Sequence, residues 1–341
     1  MLQRIVQFSL RHRGVVIALG AVVIAYGCYV ATQTKLDVFP EFAPPQVVVQ
    51  TEAPGLSSEE VEQLVTTPIE TGLNGTAGLK TIRSQSIQGL SVVTLIFRDN
   101  TDIYRDRQLV VERLGEAANL LPQGAGPPRL RPLTSSTSLI LALGLTSTSR
   151  TPMELRTFAD WMLRPQLLSV PGVASVSVMG GDIHQLQVQV KPDRLRAYGL
   201  SLNDVLAAAQ QATGVRGGGY VDTANQRIVI RTTGQSLTPE QLGEVVLAPH
   251  NDLSVRLKDV ADVRVAAAPK FGDAQIGGQS GVVLLVYDQY RANTMDVTRV
   301  LETKLRQMKS AFAAEQIDLH PDLFRPANFI QAALHNVNQS L

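Results

Sequence analysis

The segment VVVQTEAPGLSSEEVEQLVTTPIETGL, residues 47–73, predicts a strand followed directly by a helix. Its first part, 47–53, is rich in β-branched residues and lies between Pro44-Pro45 and Pro54-Gly55, as is typical of a strand. Ser57 and Glu60 then have the spacing of a capping box, which predicts the start of the helix. Apolar residues keep the helical period beyond this point, and Pro68 is expected to kink the helix.

The residues after this helix complete a β-α-β-β-α order. The turn residues Asn74-Gly75 end the helix, and 79–86 and 91–97 are predicted strands joined by a short turn. A second helix is predicted to begin near Thr101 and to end at Pro122. This order is that of a ferredoxin-like unit. The sequence therefore predicts an α+β fold.

The same order returns after residue 138, but it is interrupted. A strand at 139–145 precedes a helix capped by Thr151 and Glu154, and a Pro-Gly turn then leads into two further strands. The second of these, 184–190, alternates glutamines with apolar residues, which predicts one buried face. His184 at its start is expected to be a half-buried histidine rather than a metal ligand. Three later elements complete the unit: a strand at 282–287, a helix capped at Asn293 and a strand near 317–319.

Residues 191–269 are predicted to form an insertion between the two halves of this second unit. Ser201 and Asp204 predict a capped helix, Thr238-Pro239 predicts another, and 255–265 predicts two short strands. Between the helices, the glycines at 217–219 open a predicted hairpin whose return strand is 227–231. Because no Lys-Ser/Thr pair follows these glycines, they indicate a flexible or closely packed hairpin rather than a phosphate site.

On the N-terminal side, residues 14–31 (GVVIALGAVVIAYGCYVA) contain no charged residue. As a helix this run is about 27 Å long, close to the apolar thickness of a bilayer. Arginines precede it at positions 4, 11 and 13, whereas only one lysine and two acidic residues follow closely, up to Glu41. This bias places the N-terminus in the cytoplasm. A cleaved signal peptide is the alternative, but the run is long for one and Tyr29-Val30-Ala31 is a poor cleavage site.

Composition and spacing argue against an enzyme and against nucleic-acid binding. The 31 basic side chains are balanced by 30 acidic ones, so there is no basic field for nucleic acid. The single cysteine, Cys28, lies in the apolar run, which excludes a disulfide within the chain. The five histidines are scattered, and no serine or acidic pair has the setting of a catalytic group. The sequence assigns no catalytic residue, cofactor or metal ligand.

Five stretches resemble the resistance–nodulation–division (RND) efflux permeases, in the heavy-metal branch of the CusA/CzcA type. They follow the family order over essentially the whole chain: TKLDVFPEFAPPQVVVQTEAPGLSSEEVEQLVTTPIE (34–70), TDIYRDRQLVVERL (101–114), RPQLLSVPGVASVSVMGG (164–181), PDRLRAYGLSLNDV (192–205) and VRLKDVADV (255–263). The resemblance implies a transporter rather than an enzyme. This chain is similar to the first membrane helix and the first periplasmic loop of much longer proteins, and it stops where a second membrane helix is expected to begin.

The resemblance also implies a division of the chain. The expected parts are a cytoplasmic N-terminus with transmembrane helix 1 (1–35), porter subdomain 1 (36–133), porter subdomain 2 (134–190 and 270–325), a docking subdomain (191–269) and the approach to transmembrane helix 2 (326–341). The docking hairpin is expected to reach into the neighbouring subunit of a homotrimer, with Gly217, Gly218, Gly219 and Tyr220 at the contact. Further expected partners are the lipid bilayer of the inner membrane, a periplasmic adaptor protein and an outer-membrane channel, with residues 36–325 in the periplasm.

The exported compound is not fixed by the resemblance. Copper- and silver-type members line the metal route with methionines, one of them after the strand that corresponds to 255–265, but here the stretch 266–271 reads AAAPKF. A soft monovalent metal is therefore not supported, while divalent cations and organic compounds remain open. The alternatives are an RND pump for organic drugs, a membrane-anchored periplasmic interaction module with no transport of its own, and a secretion-type RND relative, which lacks the VFPEFAPP-type signature (38–45).

Overall fold

The computed structural model describes residues 10–33, 43–134, 138–214, 220–222, 227–229, 236, 238–250, 253–270 and 272–340. The first long helix, α1, is Arg13–Gln33. Its apolar side chains face outward, and that of Ile17 is 70% exposed. Over the described residues, no helix meets the combined length and apolarity needed to span a membrane. That residues 14–31 cross a membrane stays a prediction.

The first folded unit has the predicted β-α-β-β-α order, followed by one short strand. Its elements are β1 (Gln46–Glu52), α2 (Ser58–Val61, Glu62–Thr66 and Thr67–Leu73), β2 (Leu79–Ile87), β3 (Leu90–Phe97), α3 (Ile103–Ala117) and β4 (Arg129–Leu130). The strands form one antiparallel sheet in the order β2-β3-β1-β4. Alternate residues of β1 and β3, such as Val49 and Leu95, are fully buried against the helices. The predicted capping box of Ser57 and Glu60 is confirmed.

The second unit repeats this arrangement in two halves. Its elements are β5 (Leu139–Thr146), α4 (Pro152–Phe158, Ala159–Leu163 and Arg164–Leu168), β6 (Val173–Gly180) and, beyond the insertion, β14 (Gln279–Asp288), α9 (Thr294–Gln307), α10 (Lys309–Ala314) and β15 (Asp318–Phe324). The strand order is β6-β14-β5-β15, with the short strand β13 (Ala274–Ile276) also on β14. Thr151 with Glu154 caps α4 and Asn293 caps α9, as predicted.

In both units, the first helix contains a π-helical segment just before a proline. The middle segments of α2 and α4, Glu62–Thr66 and Ala159–Leu163, are π-helical, and Pro68 and Pro165 follow two residues later. A proline ring collides with the carbonyl four residues earlier in a regular helix, and proline has no N–H to give to it. The wider turn moves that carbonyl away. The kink predicted at Pro68 is therefore a π-turn that lies ahead of the proline.

The inserted residues form a lobe with its own core. Its elements are β7 (His184–Val190), α5 (Pro192–Ala197), α6 (Leu202–Thr213), β8 (Tyr220–Asp222), β9 (Arg227–Val229), α7 (Pro239–Gly243), β10 (Val246–His250), β11 (Leu253–Arg256), α8 (Leu257–Val260) and β12 (Ala261–Ala267). Leu195, Val205 and Leu257 lie at the centre of a cluster distinct from the cores of the two units. The capping box of Ser201 and Asp204 is confirmed.

The strand β7 corrects two expectations. It does not join the sheet of the second unit, because it pairs with β12 over its whole length, from His184 opposite Ala267 to Val190 opposite Ala261. Its apolar residues face inward as predicted, but they pack on the core of the lobe. His184 is exposed rather than half-buried, because it stands at the end of the ribbon, away from that core. The domain bounds 134–190 and 191–269 stay predictions.

The described chain ends in the helix α11 (Ala327–Ser340). Ala327 and Ile330 are buried, whereas Phe329 and Val337 are more than half exposed. Arg325, just before the helix, donates from Nε to Oε1 of Glu302 on α9 at 2.5 Å. The start of α11 is therefore anchored to the second unit. This helix lies within 326–341, the segment that the resemblance identifies as the approach to transmembrane helix 2.

Candidate functional site

The predicted inter-subunit residues lie only partly in the described structure. Gly217, Gly218 and Gly219 are outside the described residues. Tyr220 begins β8, which pairs antiparallel with β9, Tyr220 standing opposite Val229. The predicted hairpin with a return strand from residue 227 is thus present as β8 and β9. Its contact with a neighbouring subunit stays a prediction.

The described side chains do not converge on a metal-binding group. Within these residues, no group of three or more His, Cys, Asp or Glu side chains could hold a metal ion. His184 is exposed on the ribbon, and His320 is used within the second unit, where its Nε2 lies 2.9 Å from Oγ1 of Thr146.

A charged cluster lies where the insertion joins the second unit. Two connectors run side by side there: the exit connector, 181–183, between β6 and β7, and the return connector, 268–270 with 272–273, between β12 and β13. Lys270 Nζ is 2.8 Å from Oδ1 of Asp182 and 3.1 Å from Oδ2 of Asp273. The ammonium group thus bridges a carboxylate on each connector.

The ionisation of this cluster follows from its hydrogen bonds. Bonding to Asp182 and then to Asp273 raises the pKa of Lys270 above its usual value of 10.5. The bond from Lys270, followed by one from the backbone N–H of Ala274, lowers the pKa of Asp273 below 3.8. Each shift favours the charged form. Lys270 and Asp273 are therefore both charged at neutral pH.

Beside the bridge lies a cavity of about 410 Å³, called the connector cavity here. Its walls come from β6, α4 and both connectors: Arg156, Val178, Met179, Gly180, Gly181, Ile183, Ala268, Pro269, Lys270, Gly272 and Asp273. Arg156 donates from Nη1 to the carbonyl of Gly180 and from Nε to Oδ2 of Asp160, each at 2.7 Å. The wall is apolar along Met179 and Ile183 and charged along Arg156 and Lys270.

Two glycines fix the course of the chain at this cavity. Gly180 and Gly181 have φ values of 78° and 67°, which favour glycine. A Cβ on Gly180 would lie 2.5 Å from Cβ of Ala274, and one on Gly181 would lie 2.9 Å from the carbonyl oxygen of Pro152. Side chains at either position would collide with the second unit. The exit connector is therefore held closely against that unit.

A larger cavity, of about 800 Å³, lies under the start of α11. Its floor includes the apolar side chains of Leu305, Phe312 and Ile317, and charged residues such as Lys309 and Asp322 stand around it. This volume is within the range of small-molecule sites. The cavity shows that the last helix and the second unit leave space between them rather than packing fully.

Sequence reasoning found the return connector but not its chemistry. The stretch 266–271 was singled out because it lacks methionine, and Lys270 was read only as part of that departure. The pairing of Lys270 with Asp182 depends on the β7–β12 ribbon, which brings distant residues together. A local signal existed only at Gly180-Gly181, a bend from which the chain leaves the sheet.

Known proteins with the same sequence pattern and fold are transporters. A family model described as the AcrB/AcrD/AcrF family matches residues 5–341. Protein HelA of Legionella pneumophila is 34% identical over 315 residues, covering 90% of this chain and 30% of HelA. The cobalt-zinc-cadmium resistance protein CzcA of Cupriavidus metallidurans is 32% identical over 314 residues, covering 89% of this chain and 29% of CzcA.

The fold agrees with these sequence relatives. An X-ray crystal structure of a heavy metal efflux pump superposes on 98% of this chain and 34% of that chain, with a TM-score of 0.84 and 28% identity. The chain spans less than a third of the length of HelA and of CzcA. It belongs to the AcrB/AcrD/AcrF family of RND efflux permeases, which are transporters, and within that family it is similar to the heavy-metal efflux proteins of the CusA/CzcA type.

Proposed function

We propose that this chain is the N-terminal portion of the inner-membrane subunit of a proton-driven, tripartite RND pump that exports heavy-metal cations. The observation that carries the proposal is the TM-score of 0.84 to a heavy metal efflux pump over 98% of the chain. Both ferredoxin-like units and the lobe inserted in the second one take part in a match of that extent. Proton transfer falls to residues outside this chain.

The proposed topology has α1 in the membrane and most of the chain in the periplasm. Its support is the uncharged run 14–31, the outward apolar side chains of α1 and the arginines at 4, 11 and 13. In this arrangement the first unit is porter subdomain 1, the second is porter subdomain 2 and the lobe is the docking subdomain. Residues 326–341 approach a second membrane helix.

The proposed assembly is a homotrimer that works with a periplasmic adaptor protein and an outer-membrane channel. The hairpin of β8 and β9 is the proposed contact with the neighbouring subunit, through Gly217, Gly218, Gly219 and Tyr220. Small residues at that point let two backbones approach closely. No cofactor is required, because export is driven by an ion gradient rather than by bond chemistry.

The proposed cargo is a divalent cation. CzcA is named for cobalt, zinc and cadmium resistance. At the return connector, the stretch 266–270 offers no thioether, and Lys270 is paired with carboxylates. Soft monovalent ions prefer thioether and thiolate ligands, whereas borderline divalent ions accept oxygen and nitrogen. The composition of this stretch therefore favours divalent over monovalent metal.

Resistance assays on whole cells test this function. The complete reading frame containing this chain is expressed with its adaptor and channel in a metal-sensitive host, and growth is measured in Zn²⁺, Co²⁺, Ni²⁺, Ag⁺ and lipophilic drugs. We expect protection against at least one divalent cation. The 341-residue chain alone should give none, since it lacks the proton-coupled helices. Protection against drugs only would contradict the metal assignment, and protection by the chain alone would contradict the proposed coupling.

A further inference from the structure

We propose that Lys270 is an ionic latch that fixes the orientation of the inserted lobe relative to the second unit. The latch consists of Lys270, Asp182 and Asp273, and it closes across the two connectors. The proposal does not depend on which compound the protein exports. The latch would hold the lobe, which has a separate core, at one angle to the second unit.

The lobe needs such a device because its core is its own. Its buried residues cluster around Leu195, Val205 and Leu257, whereas those of the second unit cluster around Leu143 and Leu284. The ribbon of β7 and β12 and the two connectors carry the chain from one cluster to the other. Folded bodies with separate cores move relative to each other unless a large apolar interface joins them. A few connector residues then absorb the motion.

The two connectors differ in how they are held. On the exit side, Gly180 and Gly181 are packed against the second unit so closely that a Cβ would collide. On the return side, Ala268 donates its N–H to the carbonyl of Ile183 at 2.9 Å. Beyond that point Lys270 pairs with Asp182, and the backbone N–H of Gly181 donates to the carboxylate of Asp273. The exit connector is therefore the fixed side, and the part of the return connector that the Lys270 side chain holds lies between the contacts at Ala268 and Asp273.

The geometry of Lys270 suits a latch rather than a structural core pair. Its side chain is 39% exposed, and those of Asp182 and Asp273 are 24% and 49% exposed. A partly exposed ion pair holds a position without making its loss fatal to folding. The connector cavity, of about 410 Å³, lies directly beside the ammonium group. It gives the released connector space to move into.

The test measures the orientation of the lobe in the full 341-residue chain. Cys28 is replaced by serine, and spin labels are attached at the exposed positions Asn203→Cys on α6 and Gln307→Cys on α9. Pulsed electron–electron double resonance then gives the distribution of distances between the two labels, one on the lobe and one on the second unit. A second label pair, Gln166→Cys with Gln307→Cys, lies within the second unit and reports whether that unit stays folded.

Lys270→Gln should broaden the distance distribution between lobe and second unit. We expect the minor, reoriented population to rise about two- to fivefold, the change that follows from losing the partly exposed ion pair between Lys270 and Asp182, which is the pair that crosses the connectors. Lys270→Arg should restore the narrow distribution, because it keeps the charge. The matched control is Lys258→Gln, which removes an ion pair with Glu244 inside the lobe and should leave the distribution unchanged.

Two results would overturn the latch. One is a Lys270→Gln distribution as narrow as that of the wild type, which would mean that the glycine-packed exit connector alone holds the lobe. The other is equal broadening by Lys258→Gln, which would mean that the lobe itself had loosened. If Lys270→Gln also broadens the distance distribution of the label pair within the second unit, the ion pair is removed instead by Asp182→Asn, which leaves Lys270 in place. A narrow distribution in that variant would equally refute the proposal.

Discussion

The two ferredoxin-like units share one strand order but differ at one hairpin. In the first unit, Leu90 follows Ile87 after two residues, and β2 pairs directly with β3. In the second unit, the corresponding strands β6 and β14 also pair, but residues 181–278 lie between them and contain the whole lobe. The sheet is the same with and without the insertion.

This difference shows where the fold accepts new chain. Two strands that are paired in the sheet hold the ends of any insertion close together, so a lobe placed there adds little strain to the unit. Close packing is instead required at the bend where the chain leaves the sheet. A Cβ on Gly89 in the first unit would make only ordinary contacts, at 3.7 Å or more, whereas one on Gly180 in the second would collide with Ala274 and Gly281. The bend that leads into the insertion is thus more tightly packed than the short turn of the first unit.

The largest expected effect comes from the buried centre of each sheet. Leu95 on β3 and Leu284 on β14 are both fully buried. Replacing either by alanine should destabilise its own unit by roughly 2–5 kcal/mol, through lost apolar burial and a cavity. Hydrogen exchange followed by mass spectrometry measures the opening free energy of β3 and β14 separately. We expect Leu284→Ala to speed exchange in β14, β5 and β6 while β3 stays protected.

The exposed Leu202 on α6 is the matched control for these two substitutions, and Leu202→Ala should change the opening free energy by less than about 0.5 kcal/mol. Tyr290 of the second unit packs against the core of the first, so the two units touch. If Leu284→Ala speeds hydrogen exchange in β3 as much as in β14, the two units unfold together as one cooperative body, and they are not independent in stability.

A smaller effect is expected at the two bends. Gly180→Ala places a Cβ 2.5 Å from that of Ala274 and 2.7 Å from the carbonyl oxygen of Gly281, at φ 78°. Gly89→Ala has a similar φ of 75° but meets nothing closer than 3.7 Å. We expect about 3 kcal/mol of destabilisation at Gly180 and about 1 at Gly89. Thermal unfolding followed by circular dichroism ranks the two variants, and equal losses would refute the claim that the bend leading into the insertion is the more tightly packed one.

Local signals were enough to predict most of this architecture. The capping boxes at Ser57 and Thr151, the cap at Asn293 and the β-α-β-β-α order were all read correctly, because each depends on residues a few positions apart. Pro68 correctly predicted that the first helix is irregular. Its π-turn was not predicted, since the way a helix relieves a proline clash depends on the packing around it.

Long-range pairing was the part that the sequence did not reveal. The alternation in β7 fixed which side chains face inward but not which strand it pairs with. For this reason His184 was assigned an environment that it does not have. The same is true of Lys270, whose partner Asp182 precedes the entire lobe. Charge pairs between distant segments leave no periodic trace in a sequence.

The smallest expected effect distinguishes the capping boxes of the two units. Hydrogen bonds from the backbone and side chain of Ser57 lower the pKa of Glu60, and those from Thr151 lower the pKa of Glu154, in each case below the usual 4.5. Arg150, whose Nη1 lies 3.5 Å from Oε1 of Glu154, lowers the pKa of Glu154 further. No cation contributes to the lowered pKa of Glu60. Because both folded-state values lie below the unfolded one, each box stabilises the protein above about pH 4.5 and loses that contribution as the pH falls through the folded-state pKa.

The two carboxylates should therefore respond differently to salt. Ionic strength screens the attraction between Arg150 and Glu154 but leaves the hydrogen bonds of both boxes in place. We expect high salt to raise the pKa of Glu154 more than that of Glu60, measured by NMR titration of the side-chain carboxyl carbons between about pH 6 and about pH 2. Arg150→Gln should remove the difference, with Glu154 then following Glu60. Equal salt shifts in the wild type would mean that the ion pair contributes nothing measurable and that the first helices of both units begin in the same electrostatic setting.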